Sequence, residues 1–347
     1  MNPPSLKLAM VSRAAHQSDG SSQSIPWDVI HGLETGAPQE LLYDQLCNMV
    51  AQEERAGYKC CDYLRYYSPQ QGVSRASKSI DEGCRTSICG WMYRVADHFA
   101  IDREVVSIAI SYIDRILSSN FCADRQTFKL ISATSFHLAI KVHFPHIGQE
   151  VGSLLPDLSR GDFGLDDLIG MERELVHSLT WLMNPVTTQS IAMHILSLLP
   201  FRAPVTIANT ALFLAELSVC DYFFVTSRKS IVAIAAVMNA SEPTRFGSFY
   251  PPHGAFQIPY QSDWHTHIEK LLSDMGYAID WREVSSARER LWSLYRLSSE
   301  SALEQNAEPP ATPRKSSRDP PQHILQSNPS PTSCVGSNMC NFTDSSL

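Results

Sequence analysis

The chain has 347 residues, of which 44% are hydrophobic and 18% are charged, with 16 glycines and 21 prolines. This composition is that of an ordinary globular protein and excludes collagen, a long coiled coil and wholesale disorder. Acidic residues exceed basic ones by 36 to 28, so the net charge of −8 offers no broad cationic surface to nucleic acid or anionic lipid.

Both ends of the chain are predicted to be disordered. Residues 1–26 are rich in Ser, Gln and Pro and show little periodicity. From Ser301 onward the chain holds seven prolines and nine serines, and such a segment cannot bury enough apolar surface to offset the entropy of ordering. The first residues lack the features of a secretory signal, and no apolar run is long enough to cross a bilayer. We therefore expect an intracellular protein that binds no membrane, located in the nucleus, the cytoplasm or both.

The central part of the sequence shows helical periodicity nearly throughout. A helix is predicted over Leu41–Ala56, followed by a long loop near Ser68–Glu82. Five further helices are predicted before Pro185. The first of them carries its apolar residues at helical spacing: Ile88, Trp91, Met92, Val95 and Phe99. The others are predicted from Asp102 to about Ile116, then over Arg125–Val142, Gln149–Leu158 and Asp166–Leu182.

Beyond Pro185 the sequence predicts a second block of five helices and no alternating β-pattern of useful length. Its helices are predicted over Thr187–Leu199, Val205–Leu217, Ser227–Asn239, Trp264–Met275 and Ala278–Leu297. Two successive blocks of five helices predict an all-α fold built from two similar units. The predicted segments are a disordered N-terminal region 1–37, a helix region 38–66, a loop 67–83, a first unit 84–184, a second unit 185–298 and a disordered tail 299–347.

A search for catalytic chemistry finds almost nothing. The phosphate-binding, dinucleotide-binding, serine-nucleophile and zinc-protease motifs are all missing from the sequence. The pairs His143 with His146 and His265 with His267 lack further ligands at diagnostic spacing, so we expect no metal and no other cofactor. The nine cysteines include no C-x-x-C pair and are predicted to be reduced thiols.

Charged residues inside apolar helices are more informative, because burying a charge is costly unless it is paired. Arg85 opens the first core helix, and Asp114 lies within the apolar run SIAISYIDRIL. Lys141 lies at the end of a densely apolar predicted helix. Glu172 lies in another predicted helix, just before the apolar residues that define the buried side of that helix. Taken one at a time, each of these four residues could equally be solvated.

Taken together, these residues resemble the cyclin box. The runs CRTSICGWMYRVADHF, SYIDRIL, FKLISATSFHLAIK and MERELVHSLTW follow that family's order and spacing across about Cys84 to Leu182. The positions on which the box depends most are present as Arg85, Asp114, Leu130, Lys141 and Glu172. The helix ahead of the box, with Glu53-Glu54-Arg55, is most similar to D-type cyclins. The second block resembles the second cyclin fold.

This resemblance implies two tandem five-helix cyclin folds and a non-catalytic protein that binds and activates a cyclin-dependent serine/threonine kinase in the cell cycle, in G1 or at G1/S. Lys141 and Glu172 would bind the kinase, while Arg85 and Asp114 would form a buried structural pair, and Leu130 and Trp91 would belong to the core of the box. A substrate-docking patch, which kinase substrates and inhibitors could also use, would be formed by Cys84, Ser87, Ile88, Trp91 and Lys129. Thr312, in a Thr-Pro-Arg-Lys run of the tail, is a candidate phosphorylation site.

Two other function classes stay open from the sequence. One is a cyclin-fold protein of transcription, either a regulator of a polymerase-tail kinase or a factor like TFIIB that contacts DNA. The acidic charge balance and the lack of a zinc ribbon argue against DNA contact, and we expect no nucleic-acid partner. The other is an all-helical enzyme of unknown chemistry, which only the His and Asp clusters favour.

Overall fold

A computed structural model describes residues 38–66, 80–119, 124–159, 161–200, 203–242 and 261–306. Within these ranges the chain folds into helices and contains no β-strand, as the periodicity predicts. No helix in these ranges combines the length and the apolar character needed to cross a bilayer. The predicted N-terminal disordered segment, most of the loop 67–83 and most of the tail lie outside the described residues.

The first fold contains five helices, preceded by two others. The preceding helices are α1 (Gln39–Glu53) and α2 (Tyr63–Tyr66), with a 3-10 turn at Ala56–Tyr58 between them. The five helices of the fold are α3 (Glu82–His98), α4 (Glu104–Ser118), α5 (Arg125–His143), α6 (Pro145–Leu158) and α7 (Leu165–Ser178).

Local sequence signals set where these helices begin. Asp81 caps α3 by accepting a hydrogen bond from the backbone N–H of Cys84 at 2.8 Å. Asp124 caps α5 in the same way through the N–H of Thr127 at 2.8 Å. Helix α6 begins at Pro145, four residues earlier than its apolar pattern predicts, because the fixed φ of proline suits the first helical position.

The end of α7 also differs from its predicted position. The periodicity continues to Leu182, but the helix stops at Ser178. Thr180 and Trp181 have positive φ values of 51° and 62°, and this left-handed backbone cannot continue a right-handed helix. Trp181 is 72% exposed.

Helix α5 lies at the centre of the first fold and packs against α3, α4, α6 and α7. Small buried residues alternate with large ones along it, which lets neighbouring helices approach closely. Its largest fully buried side chains are Phe128 and Phe136.

The second fold contains α8 (Thr188–Leu198), α9 (Val205–Cys220), α10 (Lys229–Ala240), α11 (Gln261–Asp274) and α12 (Trp281–Asn306). Every residue of α10 from Ser230 onward is buried, because α8, α9, α11 and α12 all pack around it. The two folds meet where α9 packs against α3 and α4.

Helix α1 precedes the first fold in sequence but packs against α8 of the second. Glu53, at its C-terminal end, accepts hydrogen bonds from the backbone N–H of Ser230 at 3.0 Å and from the hydroxyl of the same residue. Its carboxylate also accepts a longer hydrogen bond from the hydroxyl of Tyr277 at 3.4 Å. Burial raises the pKa of Glu53, against the lowering effect of the hydrogen bonds from Ser230. Helix α1 is therefore anchored to the second fold.

Candidate functional site

Lys141 and Glu172 lie together on the surface of the first fold. Lys141 is in the last turn of α5 and Glu172 is in the middle of α7, and the two helices pack side by side. The Nζ of Lys141 lies 2.5 Å from Oε1 of Glu172, and the two side chains are 43% and 24% exposed. Both charges can therefore be reached from solvent.

Exposed apolar side chains belong to the same surface. Leu165 and Ile169 precede Glu172 on α7 by seven and three residues, so the three share one stripe of the helix. Both apolar side chains are more than half exposed. We call Lys141, Leu165, Ile169 and Glu172 the α5–α7 surface, and it combines a charged pair with apolar area that a partner could bury.

Arg85 and Asp114 form a second ion pair, which is buried. The guanidinium of Arg85 on α3 donates two hydrogen bonds to the carboxylate of Asp114 on α4, with Nε to Oδ1 at 2.9 Å and NH2 to Oδ2 at 2.8 Å. Arg85 also donates to the carbonyl of Val219 on α9 at 2.8 Å, and the hydroxyl of Tyr63 donates to Asp114 at 2.9 Å. The pair thus ties α3 to α4 and also to the second fold.

The buried environment shifts the pKa of the groups around this pair. Burial alone would lower the pKa of Arg85, but the charge and the hydrogen bonds of Asp114 outweigh it and raise that pKa. Burial and the neighbouring Asp114 charge together raise the pKa of the Tyr63 hydroxyl. The guanidinium stays charged and the hydroxyl stays neutral, which keeps the network intact.

Most of the residues of the predicted substrate-docking patch are covered in the structure. Cys84 and Ile88 are fully buried, Trp91 is 2% exposed and Ser87 is 8% exposed. The Trp91 ring packs edge to face on Phe136 of α5, which places it in the core. Lys129 is turned toward Asp162, with Nζ 3.1 Å from Oδ2. These five residues do not form an open apolar surface in the structure.

Leu130 also departs from its prediction. We expected it in the core of the box, but it is only partly buried and packs against the edge of that core. The neighbouring Ile131 is fully buried. The side chain of Leu130 is therefore a boundary position of α5.

The sequence interpretation missed a bridge between the two folds. Arg103, just before α4, donates to Asp97 at 2.6 Å and to Glu216 of α9 at 3.0 Å. The Glu216 side chain is 5% exposed and lies within the apolar run LFLAELSV. A charge inside an apolar helix is the signal that identified Arg85 and Asp114, and it could have identified Glu216 as well.

The remaining candidates are the histidine pairs, the cysteines and the tail residue Thr312. His265 stacks on Trp281 with ring centroids 4.2 Å apart. Among the described residues, no group of three or more His, Cys, Asp or Glu side chains could hold a metal ion. The candidate phosphorylation site Thr312 lies outside the described residues. The free cysteines in the described ranges are Cys47, Cys60, Cys61, Cys84, Cys89 and Cys220.

Comparisons with known proteins find similarity to cyclins. Residues 54–184 match the family model described as "Cyclin, N-terminal domain", a range that contains all of α3 to α7. The G2/mitotic-specific cyclin-A1 of Caenorhabditis elegans is 27% identical over 228 residues, which is 63% of this chain and 42% of that protein. Cyclin-A1-2 of Arabidopsis thaliana is 24% identical over 58% of this chain and 46% of its own length.

A D-type relative matches at a similar level. The G1/S-specific cyclin-D1 of Bos taurus is 25% identical over 212 residues, which is 60% of this chain and 67% of that protein. The chain thus spans less than half of the two A-type relatives and about two thirds of the D-type one. Among solved structures, a viral cyclin from herpesvirus saimiri aligns over 65% of this chain and 90% of its own, with a TM-score of 0.47 and 15% identity.

Proposed function

We propose that this chain, whose residues 54–184 carry a cyclin N-terminal domain, is the non-catalytic regulatory subunit of a cyclin-dependent serine/threonine kinase. The observation that carries the proposal is the α5–α7 surface, where Lys141 and Glu172 stand exposed beside apolar side chains. An active protein kinase needs the glutamate of its mobile helix held against its catalytic lysine. A rigid helical surface that grips that mobile helix would supply this restraint.

The charged groups of Lys141 and Glu172 are suited to binding the backbone of a kinase helix. The ammonium group of Lys141 has three donors for backbone carbonyls, and the carboxylate of Glu172 accepts from backbone N–H groups. Hydrogen bonds to a charged group contribute about 1.5–3 kcal/mol each. In the free chain the two side chains form an ion pair at 2.5 Å, so each charge has a partner in the absence of the kinase. Burial of Leu165 and Ile169 would add apolar contact at the same place.

The test is binding and activation with purified cyclin-dependent kinases. The full chain is titrated against a panel of them, and phosphorylation of a peptide substrate is measured. We expect one or more kinases to bind and to gain activity. Replacing Lys141 and Glu172 together by Ala should weaken binding about a hundredfold or more, since two charge-assisted bonds are lost.

A matched control is available in the exposed pair Lys59 and Glu54, whose charged atoms are 2.7 Å apart. Replacing both by Ala removes one cation and one carboxylate and should leave kinase binding unchanged. If no kinase binds, the proposed function is wrong. If the Lys141 and Glu172 double variant activates a kinase as well as the wild type, the proposed binding through the α5–α7 surface is wrong.

Within this function we propose a role in G1 or at G1/S and a location in the nucleus, the cytoplasm or both. The run Glu53-Glu54-Arg55 at the C-terminal end of helix α1, ahead of the box, and the similarity to a G1/S-specific cyclin-D1 support the timing. The similarity to G2/mitotic-specific cyclin-A1 favours the later phase instead. Immunoblotting of synchronised cells distinguishes the G1 or G1/S phase from the G2/mitotic phase, and imaging reports the location. A peak of kinase-bound protein confined to mitosis would contradict the proposed timing.

A further inference from the structure

Helix α6 packs on α5 through two glycines, one against Lys141 of the α5–α7 surface and one against His137, four residues earlier on α5. The single residue Phe144 joins the helices, so α6 turns back along α5. Gly148 lies against Lys141 and Gly152 lies against His137. The two glycines are four residues apart on α6, and Lys141 and His137 are four residues apart on α5. The two contacts therefore lie one helical turn apart on both helices.

The space at both glycines is filled by α5. A Cβ atom at Gly148 would lie 3.2 Å from both Cα and Cγ of Lys141, and one at Gly152 would lie 2.8 Å from Cε1 of His137. The contact at Lys141 involves the backbone and the first part of the side chain. Relieving it would require the backbone of α5 or the Cγ atom of Lys141 to move by a few tenths of an ångström, because swinging the ammonium group away does not change these distances. The α6 backbone therefore packs directly against the base of the Lys141 side chain.

His137 fixes the position of α6 at this point. Its Nε2 lies 3.1 Å from the carbonyl oxygen of Gly148, so the ring N–H donates to that carbonyl. Burial lowers the pKa of His137, and the positive charge of Lys141 lowers it further, against the opposing effects of the Gly148 carbonyl and of Glu172. The neutral ring that makes this hydrogen bond is therefore favoured.

We propose that Gly148, Gly152 and His137 are positioning residues for kinase recognition: their close packing of α6 on α5 aims Lys141 at Glu172. This proposal rests on the proposed function, because it assigns these three residues to the same binding surface. None of them contacts the kinase in this scheme, and all three act through Lys141.

The decisive experiment is a double-mutant cycle in the full chain. Gly148→Ala is combined with Lys141→Ala, and the affinity for the bound kinase is measured for all four proteins. We expect Gly148→Ala alone to weaken binding about tenfold, equivalent to roughly 1.4 kcal/mol. We also expect Lys141→Ala to cost much less in the Gly148→Ala background than in the wild type, because Lys141 is already misplaced there.

Gly170→Ala is the matched control. Gly170 is exposed on α7, on the side of the helix away from Glu172, and a Cβ atom there meets nothing within 4 Å. This substitution should leave kinase binding unchanged and slightly stabilise the helix. If Gly148→Ala binds like the wild type, or if its effect simply adds to that of Lys141→Ala, the positioning role is wrong.

A second variant and a second measurement keep the test independent of folding and of the proposed function. Should Gly148→Ala fail to fold, His137→Ala removes the hydrogen bond to the Gly148 carbonyl without adding bulk, and it should weaken binding about threefold to tenfold. Crystal structures of the wild type and Gly148→Ala without kinase report the Lys141 Nζ to Glu172 Oε1 distance directly. An unchanged distance overturns the positioning role, whereas a wild type that binds no kinase overturns only the proposed function.

Discussion

Two of the ion pairs in the first fold have similar lengths but differ in burial. The charged atoms of Arg85 and Asp114 are 2.8 Å apart, and those of Lys141 and Glu172 are 2.5 Å apart. The first pair is at most 5% exposed and has further partners in Tyr63 and in the Val219 carbonyl, whereas the second pair is open to solvent. A short distance alone therefore says little about a pair's role. Burial and the number of partners separate a structural pair from one that can exchange its partner for a ligand.

The largest expected effect is at the buried pair. Asp114→Ala should lower the free energy of unfolding by about 3–5 kcal/mol, because it leaves the guanidinium of Arg85 buried without its carboxylate. Urea unfolding followed by circular dichroism measures this change. Asp162→Ala is the control, since Asp162 also pairs with a cation but is exposed, and it should cost less than about 1 kcal/mol. Equal losses for the two variants would contradict the distinction.

A much smaller effect is expected at the exposed pair. Lys141→Ala and Glu172→Ala should each change the free energy of unfolding by less than about 1 kcal/mol, because water solvates the remaining charge. The same urea titration measures it at low and high salt. A loss of several kcal/mol for either variant would show that this pair also holds the fold together and would remove the contrast with Arg85 and Asp114.

The smallest effect concerns pH and His137. The pKa of His137 is lowered below 6.5 in the folded chain, so the folded state binds fewer protons than the unfolded state. The stability that neutral His137 contributes is therefore present above pH 6.5 and is lost as the pH falls through the folded pKa. The difference in Tm between the wild type and His137→Gln should shrink from pH 7.5 to pH 5.5. A constant difference over this range would exclude the contribution.

The sequence predicts the helices well because their apolar residues repeat at helical spacing, as Ile88, Met92 and Val95 do in α3. It predicts helix ends less well, because local backbone conformation decides them. The periodicity could not indicate that α7 stops before the left-handed Thr180 and Trp181. Nor could it indicate that α1 packs on the second fold, since chain order does not reveal which neighbour covers an apolar face.

The candidate site, like the fold, could be predicted from the sequence only in part. The position of Lys141 and Glu172 on one surface and the pairing of Arg85 with Asp114 agree with what the resemblance to the cyclin box implies. Helical spacing alone left a solvated position open for each of the four residues. Sequence identifies an apolar face but not what packs against it, so it could not indicate that Trp91 of the predicted docking patch is covered by Phe136. The role of Gly148 was not visible, because a glycine's contacts depend on the helix opposite.

The contacts between α3 and α9 have a practical consequence for recombinant work. Arg85, Thr86 and Cys89 all direct polar atoms at the carbonyls of Val219 and Cys220. A fragment cut to the matched range 54–184 would lose these acceptors and would present the apolar side of α3 to water. Truncation at residue 184 should therefore yield an aggregation-prone product, and a boundary beyond α12 keeps the acceptors in place.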